Sequence, residues 1–201
     1  MARVLILFAH PALQSSRVHR RLIRAVPDRP DITFHDLYEA YPGFDVDVGR
    51  EQNLLSSHDV IVLQHPFYWY STPPLIKQWE DLVLEHGWAY GSRGHALRGK
   101  RALSVISAGG REGAYQMEGY NRFTIRQLLA PVEQTFHLCG VEYLPPHVVF
   151  GTHRLSGEEI ETEAARFARL LELLADDAID TASIRDLPVL PRSLLLEEAA
   201  R

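Results

Sequence analysis

The chain has 201 residues, of which 46% are hydrophobic and 23% are charged. This composition is ordinary for one globular domain with a sizeable core. Because 21 basic residues face 26 acidic ones, the formal net charge is −5, which argues against a nucleic-acid partner. A single cysteine excludes an internal disulfide and is typical of the reducing cytoplasm. No run approaches the roughly 18 apolar residues of a membrane span, and the start MARVLILFAHP lacks a signal-peptide cleavage pattern.

Short apolar runs alternate with amphipathic segments along the chain. Five short segments are predicted as strands, and the continuous apolar runs at residues 3–8 and 60–63 indicate strands covered on both faces, as in a parallel sheet. The predicted strands are residues 3–8, 31–37, 59–63, 101–107 and 148–150. Apolar residues at helical spacing predict helices over residues 15–25, 74–87, 125–136 and 157–174, and a polar helix is expected over residues 48–57.

Several residues mark the ends of these helices. Pro74 suits a first helical turn, where its missing N–H does no harm, and Gly87 is expected to stop the same helix. Pro131 is expected to kink or restart the next helix. Ser156 and Glu159 form a capping-box pattern, which predicts where the last helix begins.

This alternation predicts a doubly wound α/β fold, with helices on both faces of a parallel sheet. Five strands fit the flavodoxin-like order 2-1-3-4-5. We assign residues 1–185 to this domain and residues 186–201 to a C-terminal tail with an apolar patch and two prolines. The tail is expected to pack on a neighbouring molecule or to be partly disordered.

Three loops are expected to meet at one crevice. Ligands of doubly wound sheets bind beyond the carboxyl ends of the strands, at the point where the strand order reverses. The exits of the first, third and fourth strands read HPALQSSR, HPFYWYS and SAGGREGAY. The sequence therefore predicts a ligand site built from these three segments.

The first loop carries hydroxyl groups and backbone donors at a helix start. It lacks the G-x-G-x-x-G and G-x-x-x-x-G-K-[ST] patterns of dinucleotide and nucleoside-triphosphate sites. Unpaired N–H groups at a helix start favour an anion, so these residues are candidates for holding a phosphate. The candidates are His10, Ser16, Arg17, Val18 and His19. The alternative is that Ser15 or Ser16 only caps the helix.

The second loop has four consecutive aromatic residues directly after a proline. Exposed aromatic side chains on a loop are suited to covering a flat, π-rich ligand such as a flavin ring. The candidates are Pro66, Phe67, Tyr68, Trp69 and Tyr70. The alternative is core filling, which we expect for Phe67 or Tyr70 but not for all four aromatics on a tight turn.

The third loop offers Gly109 and Gly110, whose missing Cβ atoms let backbone donors approach a ligand closely. Rival chemistries have weaker support. No G-x-S-x-G motif marks a hydrolase, and the ten histidines show no metal-ligand spacing. The remaining polar candidates have structural interpretations: Glu80 and Asp81 on a solvated helix face, His65 and His137 as hydrogen-bonded structural histidines, and Cys139 in the core.

Longer segments resemble one known family. HPFYWYSTPPLIKQWEDLVLEHGWAYG and GKRALSVISAGGREGAY are similar to the flavodoxin-like NAD(P)H:quinone reductases, the relatives of DT-diaphorase. FAHP, DLYEAYPGFDVDV and LCGVEYLPP further resemble the bacterial branch that serves as ancillary subunit of glutathione-regulated potassium-efflux systems. The resemblance covers roughly residues 3–175.

The resemblance implies a homodimer that binds FMN, with FAD as the alternative, and that passes a hydride from NAD(P)H to a quinone. It places the phosphate and ribityl chain on His10 and residues 16–19, the ring on residues 67–70, and the ring's pyrimidine side on Ala108, Gly109, Gly110 and Arg111. Tyr115 matches a tyrosine of the family pattern and is the candidate catalytic residue, and the histidine spacing predicts no metal site. The expected location is the cytoplasm, with peripheral contact to a potassium-efflux transporter at the inner face of the membrane; a regulatory subunit with little turnover is the alternative function.

Two positions depart from the family pattern. Arg111 stands where a small residue is expected, and Asn121 stands where DT-diaphorase relatives have a histidine. A proton relay through that histidine is therefore not expected in this chain.

Overall fold

The computed structural model describes residues 1–195. One sheet contains six parallel strands. They are β1 (Val4–Phe8), β2 (Ile32–Asp36), β3 (Val60–Pro66), β4 (Arg101–Ala108), β5 (Glu142–Tyr143) and β6 (His147–Phe150). The order is β2-β1-β3-β4, and both β5 and β6 pair with β4. The predicted order 2-1-3-4-5 is confirmed, with the fifth position shared by two short strands.

The fifth strand position is divided by two prolines. Pro145 and Pro146 lie between β5 and β6, and neither has an N–H to donate to β4. The sequence predicted only the second segment. A two-residue strand gives too short an apolar pattern to be recognised without the neighbouring strand that pairs with it.

The third strand is longer than predicted. It continues through Gln64 and His65 to Pro66, which we had assigned to the aromatic loop. His65 and Pro66 stand opposite Ile106 and Ser107 of β4, so the parallel ladder extends to this point. The aromatic loop therefore begins at Phe67.

Eight α-helices are found in the part of the chain that the structure describes. They are α1 (His19–Arg24), α2 (Leu37–Ala40), α3 (Val48–Ser57), α4 (Pro74–Val83), α5 (Ile125–Leu128), α6 (Ala130–Leu138), α7 (Gly157–Ala175) and α8 (Thr181–Ile184). The limits of α3, the break before Pro131 and the capping box of Ser156 with Glu159 are as predicted. The first helix is shorter than predicted, because a 3₁₀ turn over Leu13–Ser15 precedes it, and α4 ends at Val83, before Gly87.

The sheet separates two apolar cores. Successive side chains of a strand point to opposite faces, so Leu5 and Leu7 of β1 enter one core while Val4 and Ile6 enter the other. Helices α2 to α6 cover the first core. Helices α1, α7 and α8 cover the second. The predicted layers, helices on both faces of one parallel sheet, are confirmed.

The first ten residues of the predicted tail pack on this chain's own core. Leu190 and Leu195 are buried in the second core, and the Leu190 N–H donates to the Pro146 carbonyl at 2.9 Å. Arg126 donates to the carbonyl of Leu187 at 2.9 Å. Residues 186–195 therefore pack against the domain to which only residues 1–185 were assigned, whereas residues 196–201 lie outside the described part of the chain.

Two further polar positions differ from expectation. Glu80 is only 8% exposed, although it was assigned to a solvated helix face, and it lies near Cys139 and Tyr143. The neighbouring Asp81 is exposed as expected and pairs with Lys77. His137 is exposed rather than structural. Within residues 1–195, every helix is too short or too polar to cross a bilayer.

Candidate functional site

The carboxyl ends of β1, β3, β4 and β6 surround one cleft of about 520 Å³. Three of its walls are the loops that the sequence analysis brought together, and the fourth is the loop after β6. The lining residues are His10, Ala12, Ser15, Ser16, Arg17, Val18, Pro66, Phe67, Tyr68, Trp69, Ser107, Gly109, Thr152 and His153. The cleft lies where the strand order reverses, between β1 and β3.

The loop after β1 presents donors to the cleft. Ala12 donates its N–H to His10 Nδ1 at 3.1 Å, so the proton of a neutral His10 is on Nε2 and is available to a ligand. Burial lowers the pKa of His10, which favours this neutral form. Among residues 1–195, the N–H groups of Arg17 and Val18 have no acceptor. This wall fits an anion such as a phosphate.

Ser16 has two roles in this wall. Its Oγ accepts the N–H of His19 at 3.1 Å, which is the helix-capping role left open by the sequence. Ser16 also lines the cleft. His19, a predicted ligand contact, is fully buried behind the wall and does not line the cleft, because its ring packs between Phe8 and His10.

The aromatic loop forms a tight hairpin. Ser71 donates its N–H to the Tyr68 carbonyl at 3.1 Å, and both central residues have positive φ, 49° for Trp69 and 65° for Tyr70. Trp69 is 91% exposed, whereas Phe67 is buried, as expected for one of the four aromatics. Left-handed backbone at two bulky residues is strained and recurs at ligand sites. The loop thus holds an indole beside the cleft at a cost in stability.

Tyr70 faces a neighbouring groove instead of the main cleft. Its hydroxyl donates to Asn121 Oδ1 at 3.2 Å. The groove, of about 470 Å³, is lined by Tyr70, Tyr120, Asn121, Arg122, Phe123 and Leu128. The predicted aromatic set is therefore divided between two adjoining depressions.

In the loop after β4, the glycines make room for two aromatic rings. A Cβ on Gly109 would lie 3.1 Å from Nε2 of His153, and one on Gly110 would lie 2.9 Å from the ring of Tyr115. Only Gly109 of this predicted set lines the cleft. Ala108 is fully buried in β4, and Arg111 is exposed outside the cleft wall.

Tyr115 lies behind Gly110 and is not part of the main cleft wall. Its ring contacts those of Phe67 and Phe150, with centroids 6.2 and 5.8 Å away. Burial, and secondarily the charge of Tyr70, raise the pKa of Tyr115. The phenol therefore keeps its proton at neutral pH.

Five residues that line the cleft were not among the predicted contacts: Ala12 and Ser15 of the first loop, and Ser107, Thr152 and His153. Ser107 is at the end of β4, and Thr152 and His153 follow β6. Ligands of doubly wound sheets bind beyond the carboxyl ends of the strands, and this also applies to the loop after the fifth predicted strand. Thr152 and His153 could therefore have been predicted from the sequence. Ser107 lies within the predicted segment SAGGREGAY but was not singled out as a contact.

The fold and the site define a doubly wound α/β protein with a cleft at the switch point of its sheet, lined on one side by backbone N–H groups and on another by aromatic side chains. A family model described as flavodoxin-like fold matches residues 2–172, and the chain belongs to this family.

Two relatives are similar over most of their length. The uncharacterised NAD(P)H oxidoreductase YrkL of Bacillus subtilis (strain 168) is 44% identical over 170 residues, 85% of this chain and 98% of the relative. The glutathione-regulated potassium-efflux system ancillary protein KefG of Yersinia pestis (strain Pestoides F) is 42% identical over 170 residues, 85% of this chain and 93% of KefG.

Solved structures show the same likeness. General stress protein 14 from Treponema denticola, crystallised in complex with FMN, superposes with a TM-score of 0.81 at 39% identity, covering 86% of this chain and 99% of the other. An NADPH-quinone reductase from P. pentosaceus superposes with a TM-score of 0.76 at 32% identity, covering 84% and 97%.

Proposed function

We propose that this chain binds FMN in the cleft at the end of β1, β3 and β4 and uses it to pass reducing equivalents from NAD(P)H to a quinone. The observation that supports this most directly is one cleft with unpaired N–H groups on one wall and an exposed indole on another. FMN has the matching halves, a phosphate and a flat ring.

The residues present fit FMN. The phosphate would be held by the N–H groups of Arg17 and Val18 and by Nε2 of His10, all of which lack a competing acceptor among the described residues. The ring would lie against Tyr68 and Trp69. A complex with FMN in a relative that is 39% identical favours FMN over FAD.

When bound, FMN supplies the two-electron chemistry, and the protein supplies binding, orientation and electrostatics. The loop after β1 would hold the anionic end of the cofactor. The hairpin would place the Trp69 indole beside the ring. The protonated phenol of Tyr115 supports the loop at Gly110 and is our candidate for donating a hydrogen bond to charge that develops at that side of the site.

The test is to purify the protein and identify any released chromophore by mass spectrometry, then to measure NADPH and NADH oxidation with and without a quinone. We expect FMN and quinone-dependent oxidation of one or both nucleotides. A preparation that is colourless and does not bind added FMN would contradict the proposal.

A second candidate function is that of a regulatory subunit of a membrane potassium-efflux transporter, located in the cytoplasm and held at the inner face of the membrane. The 42% identity to KefG supports it. This function would be favoured if the FMN-loaded protein co-purified with a potassium-efflux membrane protein but did not reduce quinones. Quinone turnover without any transporter contact would favour the first.

A further inference from the structure

Behind the wall of the cleft lies a layer of buried polar side chains on α1, β3 and β4. Gln64 and His19 are fully buried, and His19 stands between Gln64 and Ser107, whose side chain lines the cleft. Buried polar groups are costly unless they are hydrogen-bonded. We therefore asked which hydrogen bonds these buried side chains make.

The three side chains form a hydrogen-bonded chain with a direction. Nδ1 of His19 lies 3.5 Å from the amide nitrogen of Gln64, and Nε2 of His19 lies 2.9 Å from Oγ of Ser107. With the Gln64 amide in this orientation, its nitrogen donates to Nδ1, which places the imidazole proton on Nε2. That proton is donated to Ser107 Oγ.

His19 can perform this role only as a neutral imidazole. Burial, with the nearby charges of His10 and His65, lowers the pKa of His19 well below its usual value. At neutral pH the ring therefore has one donor nitrogen and one acceptor nitrogen. A charged ring would have two donors and could not accept from Gln64.

The direction of the chain determines what Ser107 can offer to a ligand. Because one lone pair of Oγ receives the His19 proton, the hydroxyl hydrogen is directed elsewhere, and the open side of Ser107 is the cleft. The opposite orientation of the Gln64 amide would reverse the chain. Ser107 would then donate to His19 and present only acceptor capacity to a ligand.

We propose that His19, held by Gln64, is a positioning residue that makes the Ser107 hydroxyl a hydrogen-bond donor to FMN. The inference rests on the proposed FMN function. It assigns to His19 an indirect role in binding, through Ser107, in place of the direct ligand contact suggested by the sequence.

The test is a double-mutant cycle on FMN affinity, measured by titration of the apoprotein. Ser107→Ala and His19→Leu should each raise the dissociation constant about 3- to 10-fold, the effect of one lost hydrogen bond. The double variant should bind no more weakly than the weaker single variant, since both changes remove the same bond. His19→Gln, whose amide can still donate to Ser107, should bind more tightly than His19→Leu.

His58→Leu is the matched control. His58 is also a buried histidine, and it makes hydrogen bonds with Thr33 Oγ1 and the Leu54 carbonyl. It lies just before β3, at the amino-terminal ends of the strands, whereas the cleft is at their carboxyl ends. We expect its FMN affinity to equal that of the unchanged protein. If the effects of His19→Leu and Ser107→Ala on the free energy of FMN binding were additive, the inference would be overturned, but the proposed FMN binding would stand. Absence of FMN binding by the unchanged protein would overturn both the proposed function and the inference.

A second measurement uses the unchanged protein, so it does not depend on whether a variant folds. Nitrogen-15 NMR of the histidine side chains distinguishes the two neutral tautomers, and the inference requires the Nε2–H tautomer for His19. An Nδ1–H tautomer or a charged ring at neutral pH would overturn it.

Discussion

At the scale of single residues, the hairpin after β3 combines strain with exposure. Trp69 and Tyr70 both have positive φ, which asparagine and glycine tolerate far better in two-residue hairpins. We therefore expect Trp69→Asn with Tyr70→Gly to raise the free energy of unfolding by about 1–2 kcal/mol. The same variant should bind FMN more weakly, because it lacks the aromatic wall.

Urea denaturation and FMN titration of that variant test the trade-off. Trp69→Phe is the control, since it keeps the strained backbone and should leave the unfolding midpoint unchanged. An unchanged midpoint in the double variant would show that the hairpin stores no strain.

Glu80 gives a prediction about pH. Burial raises the pKa of Glu80 to about 7, against 4.5 for an exposed glutamate. Since the folded state keeps the proton to higher pH than the unfolded state, stability falls as pH rises from about 4.5 to about 7. Glu80→Gln removes this titration and should be more stable than the unchanged protein at pH 8, by up to ~3 kcal/mol.

Thermal unfolding at pH 5 and pH 8 measures the effect of Glu80→Gln. The difference between variant and unchanged protein should grow with pH. Asp81→Asn, at the exposed neighbouring carboxylate, should show no such trend. A pH-independent difference for Glu80→Gln would show that its carboxyl is ionised in the fold.

At the scale of secondary-structure elements, one buried carboxylate joins β2, α3, α4 and the residue that follows α2. Glu51 of α3 accepts hydrogen bonds from His35 at 2.8 Å, from Tyr41 at 2.5 Å and from Trp79 at 2.9 Å. Burial alone would raise the pKa of Glu51, but these three donors together hold it below its usual value. The carboxylate thus stabilises the fold above pH ~4.5, and this contribution is lost as pH falls below that value.

Glu51→Gln should cost about 1–3 kcal/mol, because an amide NH₂ group would face donors that need an acceptor. Urea denaturation at neutral pH measures this loss, and at low pH the difference from the unchanged protein should shrink. Glu39→Gln, at an exposed carboxylate of α2, is the control. Equal stability of Glu51→Gln would mean that the network does not join these elements.

At the scale of the whole molecule, the segment after α8 determines where the domain ends. Fully burying one leucine contributes about 1.5–3 kcal/mol, and residues 186–195 contribute Leu190 and Leu195 to the second core. A chain ending at Arg185 should therefore lose about 3–6 kcal/mol of stability. A chain ending at Leu195 serves as the control, and equal urea midpoints for the two would support the predicted domain boundary at residue 185.

Four large exposed apolar side chains near the cleft suggest which surface would form a homodimer interface. Trp69 and Tyr120 are each 91% exposed, Met117 is 65% and Phe123 is 52% exposed, and all four belong to the hairpin or to the segment after Tyr115. Exposed aromatic clusters of this kind mark interaction sites. We predict a dimer in light scattering that Tyr120→Glu with Phe123→Glu converts to a monomer.

Leu138→Glu is the control for the dimer prediction, because Leu138 is 59% exposed at the end of α6. It should leave the dimer intact. A monomeric unchanged protein, or a dimer that survives the double substitution, would contradict this choice of interface.

The sequence by itself determined the order of the main strands and helices, but not the short elements β5, α2 and α8. Continuous apolar runs in β1 and β3 require cover on both faces, and the resulting parallel sheet needs helical crossovers. The same rules brought His10, Trp69 and Gly109 to one edge of the sheet. These features depend on local patterns and on chain direction, and both can be read from one chain.

Only the tertiary structure decided which side chains face the cleft and which support it from behind. His19 and Glu80 are polar residues in ordinary helical positions, and their burial depends on Ser107 and Gln64 in one case and on the region of Cys139 in the other. The burial of a side chain depends on which distant parts of the chain pack against it, and a local sequence pattern does not predict that packing.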